Sequence, residues 1–389
     1  MRKTHGALVL GLLVAACGGG ADEAPPVAAP PPPVAAPPPP APAETAAAPA
    51  PAPKASMADM EQATLKAFAE NFTDAKKLAA LYAEDAEMWM AGNPEIKGRA
   101  SIEIAAAKGH ESMSNVKFGF NREWIKGDTV AVEWTLNATQ SKELMGVPAT
   151  EKPWGVTGCS VFWFNKDGLI VKDHRYSDAT TIMGQLGATK QKVRGIPPVP
   201  SSPEIHVAKN DAQEASELEW LKTLNGAFNK HDVKPFLDSM SDDVVYDDMS
   251  MPAPMKGKAS GKQFFESFTK AFPDMKLDVS NALAVEDFVI QEYVISGTHK
   301  GALAGPQGTI PPTKKSVALH GLDVMQLKDG KMVHGWTYAN GMEFASQLGL
   351  MPAHGEKSEK DKDKATDKGA AAKPASKPAA APAAAPAKK

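Results

Sequence analysis

Ile310-Pro311-Pro312-Thr313-Lys314-Lys315, continued by Gly321, Val324, Asp329-Gly330, Tyr338 and Gln347-Leu348-Gly349, decides the fold, because the chain carries this succession twice. The earlier copy runs Val147-Pro148-Ala149-Thr150-Glu151-Lys152, then Gly158, Val161, Asp167-Gly168, Tyr176 and Gln185-Leu186-Gly187, in one register apart from an extra residue near Lys166. Chance does not hold a register over roughly forty positions, so the chain contains an internal repeat. It divides into a first domain at 57–190, a linker at 191–210 and a second domain at 211–352, with proline and serine concentrated at 195–203 of the linker.

Both domains have the same order of elements. In the second, Leu218, Leu221, Leu224 and Phe228 form a helical stripe, and Phe236, Leu237 and Met240 mark a second helix. Val244-Val245-Tyr246 predicts a short strand, and phenylalanines at helical spacing predict a helix over 261–272. Alternating runs at 276–286, 288–298 and 316–327 predict three strands, and a fourth at 331–338 follows the two-residue hairpin signal Asp329-Gly330. The first domain matches, with Leu65, Phe68 and Phe72 on its helix and strands at 129–135 and 160–164, where Trp134, Phe162 and Trp163 supply bulk. Helices followed by a meander of antiparallel strands predict the α+β class, with helices covering one face of a curved sheet.

Outside the repeat, Arg2 and Lys3 precede an apolar run at 7–16 that is too short to span a bilayer, the pattern of an export signal at 1–16. It ends in Val14-Ala15-Ala16-Cys17, which resembles the lipobox of bacterial lipoproteins. The resemblance implies a diacylglycerol on Cys17, and Gly18 after it is compatible with transfer to the outer membrane. The expectation is therefore a lipid-anchored protein of the cell envelope, facing the periplasm or the cell surface. Residues 17–56 are almost entirely Ala, Pro and Gly, and 353–389 are rich in Lys, Ala and Pro; both compositions predict disorder, a tether and a tail.

The formal net charge of -3 gives no support for a nucleic-acid partner. Of the two cysteines one is assigned to lipid, which leaves Cys159 without an intramolecular partner. No metal-ligand spacing, phosphate-binding glycine loop or nucleophile elbow occurs, so no metal and no cofactor is implied.

The second domain carries Asn229-Lys230-His231-Asp232, Ala271-Phe272-Pro273-Asp274, Gly297-Thr298-His299-Lys300-Gly301, the Ile310–Lys315 segment, Asp329-Gly330-Lys331-Met332-Val333 and Gln347-Leu348-Gly349. In this order they resemble the SnoaL-like polyketide cyclase (ester cyclase) branch of the NTF2-like superfamily, over roughly Glu214 to Leu350. The first domain resembles it mainly through its last third. The resemblance implies two tandem cone-shaped barrels, each with a deep apolar pocket, that pair through their outer sheet faces as an internal pseudo-dimer or as a homodimer.

In the cyclases of this family a pocket aspartate on the last strand is the general acid/base. Matched through the Asp-Gly hairpin, it falls at Thr337 in the second domain and at Arg175 or Tyr176 in the first, none of them a carboxylate. A supporting histidine matches Asp323 and Ser160, and a pocket asparagine matches Tyr246 and Met88. Proton transfer needs a titratable group within reach of the substrate, so the cyclase chemistry is not carried over. What remains in the second domain is Asp323, which shares the parity of Gly321 and Met325, together with Tyr246 and Asp248 at the mouth.

An aspartate in an apolar pocket can have its pKa raised into a useful range, and a tyrosine can hold an oxyanion. Asp323, Tyr246 and Asp248 are thus the candidate catalytic residues. Met249, Met251, Met325 and Thr337 are candidates for contact with a small apolar or amphipathic ligand. The bland alternative makes Asp323 a paired structural carboxylate and Tyr246 a core residue. His299 and His320 are read as sheet-surface or interface residues, and Trp336, Tyr338 and Tyr176 have the parity of a sheet-to-sheet contact.

Overall fold

The structure, a computed structural model, describes residues 55–305 and 308–350. The export signal, Cys17, nearly all of the tether and the tail at 353–389 lie outside the described residues.

The first copy begins with α1 (Met57–Glu70), whose Ser56 cap and Asp59 exchange side-chain and backbone hydrogen bonds as a capping box. There follow α2 (Ala75–Ala79), β1 (Tyr82–Met90), β2 (Ile96–Lys97), α3 (Arg99–His110), β3 (Met113–Lys126), β4 (Thr129–Gln140), β5 (Pro153–Phe164), β6 (Ile170–Ser177) and α4 (Ala179–Leu186). The linker supplies β7 (Glu204–Val207), which pairs parallel with β3 at the sheet edge. The second copy repeats the plan as α5 (Ala212–Asn229), α6 (Val233–Asp238), β8 (Met240–Asp248), β9 (Met255–Lys256), α7 (Gly257–Ala271), β10 (Lys276–Val285) and β11 (Phe288–Thr298). A small hairpin, β12 (Leu303–Gly305) and β13 (Gly308–Ile310), precedes β14 (Ser316–Lys328), β15 (Lys331–Ala339) and α8 (Gly341–Gln347). The sheets order as β2-β1-β6-β5-β4-β3-β7 and β10-β11-β14-β15-β8-β9. No described helix is long and apolar enough to cross a membrane.

The α+β reading holds, with three local corrections. Met240 opens β8 and does not end α6, because the helix stops at Ser239, whose hydroxyl bonds back to the carbonyl of Phe236. Phe72 lies past the end of α1 but keeps its packing role, stacked on Phe118 at 4.1 Å. His299 is fully buried, not at a surface, because Lys314-Lys315 close over the end of β11 and His299 bonds Thr313 beneath Phe272. The Asp329-Gly330 turn has both φ angles positive (52° and 70°) and closes Lys328 on Lys331, the two-residue hairpin expected of that dipeptide. In the first copy the extra residue lies inside the turn, held by Asn165 Oδ1, which accepts from Asp167 and Leu169. Ser160 therefore pairs with Arg175 as Asp323 pairs with Thr337, and Arg175, not Tyr176, is the match to Thr337.

Each copy fills its barrel with one apolar cluster, built on Leu65, Phe68 and Phe162 in the first and on Leu221, Phe265 and Val289 in the second. A third cluster lies where the outer faces of the two sheets meet and includes Trp124, Val161, Tyr176, Ile290, Val324 and Tyr338. Two carboxylates are buried there. Glu292 accepts from Tyr176 at 2.8 Å, from His174 Nδ1 at 2.7 Å and from Asn281 at 2.9 Å. Glu133 is gripped by both arms of Arg122 at 2.9 and 3.0 Å and takes a short hydrogen bond from Tyr338. Glu133 and Glu292 occupy matching strand positions, as do Tyr176 and Tyr338, so each copy gives a phenol and receives one. The caps of α4 and α8 are also exchanged: Gly341 N donates to Asp178, and Ala179 N to Asn340.

A second repeated feature is a buried glutamate early in the first helix of each copy, Glu61 and Glu217, beside Asp128 and Asp287. Neither oxygen of Glu61 has a partner, and burial pushes its pKa up to about 7. Such a group is protonated more readily folded than unfolded, so its contribution is fully present below about pH 4.5 and is lost as the pH rises through about 7. Glu61→Gln is expected to remove that step: its melting temperature exceeds that of the unsubstituted protein at pH 8, and the difference closes toward pH 4. At the sheet contact, Tyr176→Phe and Tyr338→Phe each leave a buried carboxylate short of a donor and should cost about 1–2 kcal/mol in denaturant unfolding. As they serve different carboxylates, the double variant should lose about the sum of the two, within roughly 0.5 kcal/mol.

Candidate functional site

The interior of the second copy is organised around a strand glycine. A Cβ at Gly321 would come within 2.5 Å of the Tyr293 ring, so only glycine lets that ring lie across β14. Lying there, Tyr293 directs its hydroxyl to Asp323 Oδ1 at 3.1 Å, two residues along the same face. Gln291, also inward on β11, donates to Asp323 Oδ2 at 3.1 Å and is itself held by Asn225 of α5 at 2.8 Å. Thr337 on β15 donates to Asp323 Oδ1 at 2.6 Å, which leaves its oxygen free to accept from Tyr246 at 2.5 Å. Asp323 is thus the end point of three donors. Burial still outweighs them and raises its pKa to about 6, with Asp248 adding a further push upward. The same burial and the adjacent carboxylate hold the Tyr246 and Tyr293 phenols well above their ordinary range, so both remain donors.

Tyr246 and Asp248 pair with Gly335 and Thr337 and share the inward face with Asp323, and Met325 is buried on that face. Asp248 accepts from the backbone N–H and hydroxyl of Ser250 at 2.8 and 2.7 Å, and its pKa is raised by burial. The loop methionines separate from this group. Met249 is buried in the sheet-to-sheet cluster and lines a groove of about 240 Å³ with Gly155, Thr181, Arg194, Pro197 and Pro252, while Met251 is 39 % exposed. Arg194 of the linker donates to the carbonyl of Asp248 at 2.7 Å and pairs with the outward-facing Asp247. The linker therefore helps to build the rim of the second barrel.

The first copy keeps the scaffold and changes the filling. Trp134 lies over Gly158 as Tyr293 lies over Gly321, and its indole N–H donates to Ser160 at 2.9 Å. Arg175, in the place of Thr337, donates through Nε and Nη2 to the fully buried Asp173 and through Nη2 to the Tyr82 hydroxyl, which also donates to Asp173 at 2.6 Å. Cation and carboxylate cancel inside the barrel.

Gln291, Tyr293, Asn225, Asp173 and Tyr82 were not among the sequence candidates. Gln291 and Tyr293 share one parity along β11, but their place opposite Asp323 depends on the register of β11 on β14; Asn225 and Tyr82 carry no comparable local signal. Among the described residues no group of three or more His, Cys, Asp or Glu is placed to hold a metal ion, and Cys159 is buried and free.

Comparison with known proteins agrees with this duplication. The SnoaL-like polyketide cyclase family model matches residues 219–348, and a SnoaL-like domain model matches residues 62–172. No curated protein matches the chain. Similar solved structures include AclR of Streptomyces galilaeus, a candidate hydroxylase, at 27 % identity over 36 % of this chain and 99 % of that one, with a TM-score of 0.32. A candidate SnoaL-like polyketide cyclase from Jannaschia is 15 % identical over 37 % of this chain and 99 % of its own, with a TM-score of 0.34. IdmH of Streptomyces antibioticus, a candidate polyketide cyclase, is 24 % identical over 34 % and 97 %, with a TM-score of 0.30. With one match on each half of the repeat, the chain belongs to the SnoaL-like, NTF2-like family and carries two such domains in tandem.

Proposed function

We propose that this is a lipid-anchored protein of the cell envelope in which the second domain binds a small apolar or amphipathic molecule inside its barrel, while the first serves as a structural partner in an internal pseudo-dimer. The observation that carries the reading is the contrast between the two interiors. In the first, Arg175 and Tyr82 both donate to Asp173 Oδ2, and the three side chains occupy the barrel, with Asp173 Oδ1 left unpartnered. In the second, the matching positions are Thr337, Gly335 and Met240, and the Asp323 cluster is left beside Tyr246, Phe268 and Phe344, inward-facing side chains that remain only half-buried. Apolar walls with a few fixed polar groups suit a small ligand.

A second reading is favoured by one property of Asp323, its pKa near 6, which would suit an acid/base catalyst near neutral pH. Its three internal donors argue instead for a carboxylate held in place to position other groups. A rate limb near pH 6 that vanishes in Asp323→Asn would move the assignment from binding to catalysis.

Thr337→Arg tests the binding reading, since it installs the residue that fills the first barrel. Native mass spectrometry of protein purified from its source is expected to show a co-purified small mass on the unsubstituted chain and none on Thr337→Arg, whose folding is checked by circular dichroism. A mass retained by Thr337→Arg would place the ligand elsewhere. The anchor is tested by growth with a radiolabelled fatty acid: label is expected on the unsubstituted chain and absent from Cys17→Ala, and equal absence from both would overturn it.

A further inference from the structure

If the second barrel binds a ligand, its interior also limits what that ligand carries. The donors of the polar cluster are turned inward on one another: Gln291, Tyr293 and Thr337 donate to Asp323, and Tyr246 donates to Thr337. What the cluster still offers is acceptor capacity, on the carboxylate and on the oxygens of Tyr246 and Tyr293. A ligand group that meets it must therefore be a hydrogen-bond donor.

Charge points the same way. No Lys, Arg or His among the described residues forms an ion pair with Asp323, and the charge that acts on it most is a second carboxylate, Asp248. Arg194 is spent on Asp247 and on the carbonyl of Asp248. In the first copy the matching space holds its own cation, Arg175, already paired with Asp173. The second interior is thus an uncompensated anionic site, and a buried carboxylate without a counter-charge gains from any cation that enters.

The walls are aromatic. The rings of Tyr246, Phe264, Phe268, Phe272 and Phe344 follow one another at centroid spacings of 6.1, 5.7, 5.1 and 6.0 Å. Tyr246, Phe264, Phe268 and Phe344 keep part of their surface uncovered. Ring faces attract ammonium groups as well as apolar bodies, so one lining serves both ends of an amphipathic cation.

We propose that the second barrel takes a protonated organic amine, its N–H groups on Asp323 and Tyr246 and its apolar body along the Phe264–Phe268–Phe344 wall. The inference rests on the binding reading above and goes further in naming the ligand class.

The test uses the full chain in mild detergent and three probes of one shape, 3-phenylpropylamine, 3-phenylpropanol and 3-phenylpropanoic acid, with affinities from isothermal titration calorimetry. The amine should bind at least about tenfold more tightly than the alcohol, and the acid most weakly. The comparison is made on the unsubstituted protein, so it does not depend on a variant folding. In Asp323→Asn, checked for folding by circular dichroism, the preference for the amine over the alcohol should disappear. Equal or tighter binding of the alcohol or the acid would overturn the amine inference and leave the binding reading standing. If none of the three binds and the co-purified mass survives Thr337→Arg, both fall together.

Discussion

Glu133 and Glu292 sit in the middle of strands that are otherwise uncharged, and the pairing of the two copies depends on how they are satisfied. A carboxylate on the outer face of an isolated barrel would be hydrated, and the leucines, valines and aromatics around it would be exposed. Bringing the faces together buries both, and this is tolerable only because each carboxylate meets donors: Tyr338 and Arg122 for one, Tyr176, His174 and Asn281 for the other. The exchange is reciprocal, as in an isologous contact between identical subunits, although here both halves belong to one chain. The surrounding supports are not identical. Arg122 also covers the face of Trp336 at 3.9 Å, whereas Glu292 relies on a histidine and an amide.

Symmetry is kept at the contact and relaxed inside the barrels. Both interiors retain an aromatic ring across a strand glycine with its polar tip two residues further on, because that arrangement is set by backbone geometry: a Cβ at Gly158 or Gly321 would meet the ring within 2.3 or 2.5 Å. The residue at the tip is free to vary. Serine accepts one hydrogen bond from Trp134, while aspartate gathers three. On the adjacent strand, arginine extends into the first barrel and has Asp173 beside it; threonine, short and neutral, donates to Asp323 and brings it no counter-ion. The differences between the two interiors thus fall on a few matched positions, Ser160 and Asp323, Arg175 and Thr337, Asp173 and Gly335, and Tyr82 and Met240.

Much of this was legible from the residues. The repeat, the Asp-Gly hairpin and the alternation along 288–298 and 316–327 fixed which side chains point inward, and the parity of Tyr176, Trp336 and Tyr338 put them on the outer face, where the structure has them. The partners of Asp323 were not read, because hydrogen bonds across strands depend on register, and register is set by pairing that a single strand does not display. Glu133 and Glu292 were passed over for a similar reason: one charged residue in an otherwise uncharged strand looks like a surface position until the opposing sheet is known. Met249 follows Asp248 by one residue and so faces the other way, a consequence of the strand period continuing into what reads as a loop. The proline-rich composition of the linker concealed β7 and the contact of Arg194 with the rim of the second barrel.

That contact bears on why the two domains are fused. In a dimer of separate identical chains, any substitution that fills one pocket fills both, and any that empties one removes packing from both. Within one chain the halves change independently: the first places a buried ion pair and Trp134 in its barrel, while the second gathers Gln291, Tyr293 and Thr337 on Asp323. The linker adds an asymmetry that separate subunits lack. It runs along the first sheet as β7, and Arg194 reaches the turn after β8, so the rim of the second barrel is held by residues outside that barrel. The second barrel is then supported by its neighbour through the Tyr–Glu exchange on one side and the linker on the other.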